Sequence, residues 1–129
     1  KSYQEVKLQQ FQIVSGDKAI PTATVKLLVD GDEIVSTSCG DGPVDSALKA
    51  VESAVGVKSR LKDYSIRSLS HGKDAMGEVR VIVLFEDEEV SGKGISTDII
   101  EASVKAYLDA YNRFRARKTF VEQRIKEGI

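Results

Sequence analysis

Apolar and polar residues alternate over the first third of the chain with the period of two that is typical of half-buried β-strands. We predict strands over residues 6–14, 23–29 and 33–39. Asp30-Gly31 separates the second strand from the third, and this dipeptide is typical of the two-residue turn of a β-hairpin. The pattern therefore predicts an antiparallel sheet with one apolar face that another element must cover.

The apolar period then lengthens to that of an amphipathic helix. Ala47 and Val51 fall at helical spacing, and we predict a helix from about Pro43 to Val55. Proline suits the first turn of a helix, and Gly56 is a residue type that commonly ends one. This helix is the cover that the first sheet requires.

The same order of elements occurs again in the second half of the chain. It comprises an extended segment at 61–69, a strand at 78–85, a turn at 86–88, a strand at 89–92, a second glycine loop at 92–94 (Gly-Lys-Gly) and a long helix from 98 to about 117. Residues 46–51 of the first helix align with residues 102–107 of the second. A duplicated unit explains this spacing better than a single irregular fold.

We therefore predict an α+β fold of two pseudo-symmetric βββα units, each a three-stranded antiparallel sheet with one helix. We expect the chain to form a single domain over residues 1–129, with the repeats at about 6–56 and 61–117. Residues 118–129 are charged and continue the helical pattern, so we expect a helical tail.

Composition narrows the possible functions. The chain has 129 residues, of which 41% are hydrophobic and 30% charged, and its formal net charge of −1 is typical of a globular domain. Acidic and basic residues are interspersed, which argues against nucleic-acid binding, and no apolar run reaches the roughly 20 residues of a membrane-spanning helix. Cys39 is the single cysteine, which excludes an internal disulfide and favours a reducing, cytoplasmic compartment.

Residues 40–45, Gly-Asp-Gly-Pro-Val-Asp, join the third predicted strand to the first helix. We expect Gly40 and Gly42 to adopt backbone conformations closed to other residues, ahead of Pro43 in the first helical turn. The free N–H groups of a helix start favour an anion or a carboxylate, so this loop is a candidate ligand site. A plain strand-to-helix turn is the alternative, because the sequence lacks the full signature of a phosphate or dinucleotide loop.

No catalytic constellation stands out in the sequence. His71 is the only histidine, so a metal site or a proton relay would need an unusual set of partners. We interpret Cys39, at the end of a predicted strand, as a small buried thiol. Asp41, Asp45 and Asp98 lie at or near helix N-termini, where capping explains them, although Asp45 and Asp98 also suit an ammonium group bound between the two loops.

Aromatic residues fall in two places. Tyr64 either walls an apolar pocket or fills the core, and the small residues that follow it, Ser68, Ala75 and Gly77, leave room for a side-chain-sized ligand. The aromatic residues of the second helix have the spacing of packing residues, either within the core or across a dimer interface; they are Tyr107, Tyr111 and Phe114.

Five segments of the chain together resemble the C-terminal regulatory domain of the 2-isopropylmalate synthase and citramalate synthase family. They are residues 11–16 (FQIVSG), 20–25 (IPTATV), 40–45 (GDGPVD), 74–79 (DAMGEV) and 96–103 (STDIIEAS) with its continuation through Ala106 and Tyr107. They occur in order and span nearly the whole chain, which makes the resemblance far more specific than any one segment.

The resemblance implies two βββα units related by pseudo-symmetry, a homodimer built through this domain, and an end-product amino acid bound near the dimer interface. The effector is leucine in 2-isopropylmalate synthases and isoleucine in citramalate synthases. In the parent enzyme a metal-dependent barrel condenses acetyl-CoA with a 2-oxo acid, and that barrel is not in this chain. The implied domain is therefore a non-catalytic sensor without a cofactor of its own.

Three functions remain open on this basis. The first is feedback inhibition of a 2-isopropylmalate synthase by leucine. The second is isoleucine sensing in a citramalate synthase, and the third is a structural dimerisation module without a ligand. Leucine and isoleucine are isomers that differ only in where a methyl group branches, so the residues do not decide between them.

The resemblance also implies an effector site. The first loop would hold the ligand's carboxylate or backbone, residues around Tyr64 would line the side-chain pocket, and the second helix start would complete it. The implied effector residues are Gly40, Asp41, Gly42, Pro43, Val44, Leu61, Tyr64, Ser68, Ala75, Gly77, Asp98 and Ile99.

Overall fold

The computed structural model describes residues 4–69 and 75–128, so His71 lies outside the described residues. The elements in chain order are β1 (Lys7–Gly16), β2 (Ala19–Val29), β3 (Asp32–Cys39), α1 (Pro43–Val55), β4 (Ser59–Ser68), β5 (Gly77–Phe85), β6 (Glu88–Ser96) and α2 (Ile99–Lys126). Three strands followed by a helix occur twice, which confirms the predicted fold class.

The two halves correspond in strand register as well as in element order. Each sheet is antiparallel, with orders β1-β2-β3 and β4-β5-β6. A bulge follows Leu8 in β1 and Leu61 in β4, and these residues pair with Leu27 and Val83 of the central strands. An irregularity at the same step of both edge strands indicates that the halves correspond closely in this part of the sheet, although β1 has a second irregularity, after Val14, that β4 lacks.

Each helix covers one face of its own sheet. Side chains of the central strands alternate between the two faces, and every second one is fully or almost fully buried. The buried set comprises Ala23, Val25 and Leu27 of β2 and Val79, Val81, Val83 and Phe85 of β5. Helix α1 packs on β2 and β3, α2 packs on β5 and β6, and the two helices contact each other.

Strand β6 corrects one prediction. Residues 92–94 were expected to form a loop, but they lie inside β6 and pair with β5. A β-carbon at Gly94 would lie 2.6 Å from the Ala106 nitrogen, and one at Gly92 would lie 2.6 Å from the Ala110 nitrogen, with carbonyl oxygens of α2 closer still. These glycines therefore let the backbone of α2 rest directly on the strand, which is why glycine here marks close approach rather than a turn.

Phe85 is the centre of an aromatic cluster between β5 and α2. Its ring centroid lies 5.5 Å from that of Tyr107, 5.7 Å from that of Tyr111 and 5.2 Å from that of Phe114. All four side chains are buried. Tyr107, Tyr111 and Phe114 of α2 therefore pack in the core of their own chain, which is the first of the two alternatives given above.

Helix α2 is longer than predicted. It continues to Lys126 instead of ending near Arg117, so the expected tail is a direct extension of the helix. Phe120, Val121 and Ile125 on this extension are all more than half exposed. Neither helix of the described residues combines the length and apolar character that crossing a membrane requires.

Two sets of hydrogen bonds tie the halves together. The Glu52 carboxylate in α1 accepts from the backbone nitrogen (2.7 Å) and hydroxyl (2.8 Å) of Ser59 in β4, and the Ser59 oxygen also bonds the Tyr107 hydroxyl of α2. Burial raises the pKa of Tyr107 well above its ordinary value, so its hydroxyl stays protonated. Elsewhere, the Asn112 side chain accepts from the Val6 nitrogen (2.8 Å) and donates to the Val6 carbonyl (2.9 Å).

Candidate functional site

Helix α1 begins without a side-chain cap. Gly42 occupies the N-cap position, Pro43 has no N–H, and the first backbone bond of the helix runs from the Ser46 nitrogen to the Gly42 carbonyl at 2.9 Å. The N–H groups of Val44 and Asp45 therefore precede the helix's internal hydrogen bonding. These two donors at the positive end of a helix dipole are suited to a carboxylate.

Gly40 and Gly42 serve this loop for reasons other than those expected. Neither is among the described residues with positive φ, and Gly42 is fully extended, with φ −174° and ψ −177°. A β-carbon at Gly40 would lie 2.6 Å from the Asp45 Oδ2 and 2.7 Å from the Ser46 nitrogen, whereas one at Gly42 would meet nothing within 4 Å. Gly40 thus allows the strand to approach the helix closely, and Gly42 leaves the space above the helix start open.

Asp45 holds the loop in place. Its Oδ2 accepts a 2.9 Å hydrogen bond from the Asp41 backbone nitrogen and lies 3.1 Å from the Lys49 ammonium nitrogen. The bond from Asp41 is the main reason that the pKa of Asp45 lies below its ordinary value, with a smaller contribution from Lys49. The carboxylate therefore has a structural role inside the loop, which fits the predicted capping role better than an open ammonium site.

The lowered pKa of Asp45 predicts a pH dependence. A carboxylate whose pKa is lower in the folded state stabilises the fold above its unfolded pKa and loses that contribution as the pH falls through the folded pKa. We expect Asp45→Asn to lower the free energy of unfolding at pH 7 by about 0.5 kcal/mol, because the group is partly exposed. The difference from wild type should shrink as the pH falls through the lowered pKa of Asp45, because the carboxyl group then becomes neutral like the asparagine amide.

Urea unfolding at a series of pH values, from pH 7 down through the lowered pKa of Asp45, measures this effect. Lys49→Met is the matched control, since it removes the ion pair and leaves the Asp41 hydrogen bond intact. The control should retain most of the wild-type pH dependence. An Asp45→Asn variant whose stability runs parallel to wild type at every pH would contradict the assignment.

At the start of α2 the equivalent donors are already occupied. Asp98 is the N-cap, and its Oδ1 accepts from the nitrogens of Ile100 (2.8 Å) and Glu101 (3.3 Å). The Ser96 hydroxyl donates to the Glu101 carboxylate and accepts from the Asp98 nitrogen at 3.0 Å. Capping of α2 by Asp98 was one of the two roles predicted for it. Of the two helix starts, only that of α1 is left uncapped by a side chain.

Around the α2 start the structure brings together three of the implied effector residues. Gly77 begins β5, and a β-carbon on it would lie 2.6 Å from the Ile99 Cδ1, so the Ile99 side chain covers this glycine. The Tyr64 hydroxyl bonds the Ser103 hydroxyl at 2.6 Å, and Ser103 donates to the Ile99 carbonyl at 2.7 Å. Ser103 was not among the residues predicted from the sequence. It aligns with Ala47 of the first helix, which is apolar.

The remaining implied residues lie on the surface. Ser68 pairs with Gly77 across the β4–β5 ladder. Leu61, Ser68 and Ala75 are exposed, and Leu61 exposes 42% of its surface. Contacts described for the first loop stay within the first half, where the Gly40 nitrogen also donates to the Pro21 carbonyl of β2 at 3.1 Å. Those of Tyr64, Gly77 and Ile99 stay within the second half.

Three surface depressions are lined by none of the implied effector residues. One, of about 390 Å³, spans β4, β5 and β6 and reaches α2 at Asp109 and Arg113. Another lies beside Gln4 and Asp30, and a third lies between the β5–β6 turn and the end of α2 around Phe114. These depressions are therefore distinct from the effector site that the resemblance implies.

A charged cluster on the second sheet has a structural explanation. The Glu78 side chain is only 4% exposed and lies 3.0 Å from Arg67, 3.2 Å from Arg80 and 3.9 Å from Lys93. Desolvation pulls the pKa of Glu78 upward, but the hydrogen bond from Arg80 and the nearby positive charges hold it below its usual value. Glu78 therefore stays ionised and ties the three strands together.

Cys39 corrects another expectation, because it is exposed instead of buried. Its neighbour Ser38 pairs with the buried Ala23, so strand alternation turns Cys39 to the opposite face, where its sulfur lies 3.9 Å from the Thr22 hydroxyl. Among the described residues, no group of three or more histidine, cysteine, aspartate or glutamate side chains is placed to hold a metal ion.

Comparison with known proteins gives a consistent result. A family model described as the LeuA allosteric (dimerisation) domain matches residues 1–115. The 2-isopropylmalate synthase of Aquifex aeolicus is 47% identical over 124 residues, which cover 96% of this chain and 24% of the relative. The synthase of Ruminiclostridium cellulolyticum is 52% identical over 82% of this chain and 21% of its own length. The synthase of Methanocaldococcus jannaschii is 39% identical over 88% of this chain and 22% of its own length.

Proposed function

The chain belongs to the LeuA allosteric (dimerisation) domain family, and from this premise we propose that it is the leucine sensor of a 2-isopropylmalate synthase. In this proposal leucine, the end product, binds the domain and inhibits an attached catalytic barrel in the cytoplasm. The chain spans about a quarter or less of the length of the curated relatives quoted above. The barrel, its divalent metal and its acetyl-CoA-dependent reaction are accordingly part of the proposal.

The observation that carries the proposal is the uncapped start of α1. An amino-acid carboxylate placed above Gly42 would accept from the N–H groups of Val44 and Asp45, in the space where a β-carbon meets nothing within 4 Å. The negative charge of Asp98, at the start of the other helix, suits the ligand's ammonium group. The apolar surfaces of Tyr64 and Ile99 suit its side chain.

A homodimer forms part of this proposal. Strand β4 is an edge strand, and Leu61, Ile66 and Leu69 at or beside it expose 42%, 53% and 42% of their surfaces. A cluster of exposed large apolar side chains on an open sheet edge favours a protein contact. A second copy at this edge would cover them and bring further groups near Tyr64, where the resemblance places the effector.

Inhibition requires that leucine distinguish two arrangements of the dimer. A ligand shifts an equilibrium only by the difference between its affinities for the two states. The proposed device is the helix pair: α1 presents the carboxylate site and contacts α2, whose N-terminus carries Asp98 and Ile99. A change in the relative position of the two helix N-termini would thereby alter the dimer contact and the attached barrel.

Thermal unfolding of the 129-residue chain with amino acids tests the proposal. Leucine at one hundred times its dissociation constant should stabilise the fold by about 2.7 kcal/mol. L-leucinol, which lacks the carboxylate, and N-acetyl-L-leucine, which lacks the ammonium group, should give no comparable shift. Stabilisation by isoleucine alone would favour the citramalate-type sensor, and no shift with any amino acid would favour a dimerisation module without a ligand.

Gly42→Asp sharpens this test by copying the α2 start onto α1. Aspartate at the N-cap accepts from the first free N–H groups of a helix, as Asp98 does. We expect the variant to gain a few tenths of a kcal/mol in stability and to lose the leucine-dependent shift. An undiminished shift would mean that the carboxylate binds elsewhere.

A further inference from the structure

The two halves differ in the residues at two equivalent positions, one on the first strand of each sheet and one on each helix. Phe11 pairs with Val25 in the first sheet and Tyr64 pairs with Val81 in the second, so these aromatic residues hold equivalent places. The N-caps Gly42 and Asp98 are equivalent too, and five residues beyond each lie Ala47 and Ser103. The first half therefore has phenylalanine and alanine where the second has tyrosine and serine.

Tyr64 and Ser103 of the second half form a chain of hydrogen bonds in which the donor and acceptor of each bond are fixed. Ser103 has one hydroxyl proton, which it donates to the Ile99 carbonyl at 2.7 Å. Its oxygen must then accept from the Tyr64 hydroxyl, 2.6 Å away. Ser103 is fully buried, so water does not compete for this bond. The far end of the Tyr64 ring is thus fixed to α2, beside the residue whose side chain covers Gly77.

We propose that Ser103 is a positioning residue that fixes the Tyr64 ring and thereby sets the discrimination between leucine and isoleucine. This inference rests on the proposed function, since it concerns the same effector site. The two amino acids have equal volume and the same charged groups, so only the shape of the apolar wall distinguishes them. One methylene more or less in an apolar pocket changes the affinity by about 10–200-fold, and the shift of one methyl group can be discriminated by no more than this. The discrimination is retained only if the pocket wall does not relax.

The proposal predicts a change in selectivity, measured by calorimetric titration of the 129-residue chain with each amino acid. Ser103→Ala and Tyr64→Phe remove the same hydrogen bond from opposite sides. Each should bring the ratio of the leucine and isoleucine dissociation constants at least threefold closer to one. The double variant should move the ratio no further than either single change, because both act on one bond.

Tyr107→Phe is the matched control. It also removes a buried tyrosine–serine hydrogen bond, that with Ser59, and should lower the melting temperature without moving the selectivity ratio. A wild-type ratio in Ser103→Ala or in Tyr64→Phe, or a Tyr107→Phe ratio that shifts equally, would overturn the inference and leave the proposed function standing. A wild-type chain that binds neither amino acid would reject both, and one that binds both equally would reject the inference alone.

Discussion

Gly94→Ala is expected to destabilise the domain by about 3 kcal/mol or more, which is the upper end of the range for overpacked cores. The new methyl group would lie 2.6 Å from the Ala106 nitrogen and closer still to a carbonyl oxygen of α2. Backbone atoms of a helix have no rotamer through which to move aside. Relief therefore requires α2 to lift from β6, with loss of its packing along the strand.

Urea unfolding followed by far-ultraviolet circular dichroism measures this loss. Ser91→Ala is the matched control, because Ser91 lies on the same strand and its side chain is exposed. The control should change the free energy of unfolding by no more than about 0.5 kcal/mol. A Gly94→Ala variant as stable as this control would show that α2 does not rest on the strand.

Phe85→Ala should remove a comparable share of the stability, about 3–5 kcal/mol. The side chain is completely buried and contacts three aromatic rings of α2, so truncation leaves a cavity that the surrounding rings cannot fill without leaving their own positions. The midpoint of urea unfolding and the near-ultraviolet dichroism of the tyrosine residues both report the loss.

Phe120→Ala provides the comparison for that experiment. Phe120 is 56% exposed on the extension of α2, where its ring lies 5.5 Å from the Arg124 guanidinium carbon. We expect its removal to cost less than about 1 kcal/mol. Equal losses in the two variants would mean that the extension of α2 contributes as much to the stability of the domain as the Phe85 cluster.

Local patterns predicted most of the fold because the strands and helices bury one face each. The Asp30-Gly31 hairpin is typical: both residues adopt the left-handed conformation, with φ 51° and 88°. Residues 92–94 were mispredicted because two glycines in a strand look the same in sequence as two glycines in a loop. The distinction depends on Ala102 and Ala106 of α2, which meet the strand only after the chain has folded.

The candidate site was predictable only in part. The helix start after Gly42 followed from the residue types, but the reasons for the two glycines required the positions of Asp45 and Ser46. The role of Ser103 could not be predicted from the sequence for a similar reason. A serine in a helix has many roles, and only the pairing of β4 with β5 places the Tyr64 hydroxyl next to it.

The two hydrogen bonds between Val6 and Asn112 have a consequence for the order of folding. They join residues 106 positions apart, so forming them costs the entropy of closing a loop of almost the whole chain unless the elements between have already folded. Val6 lies immediately before β1, so its backbone N–H and carbonyl gain these partners only when α2, the last element, is in place. We therefore expect the Val6 amide to be among the last to become protected from hydrogen exchange during folding.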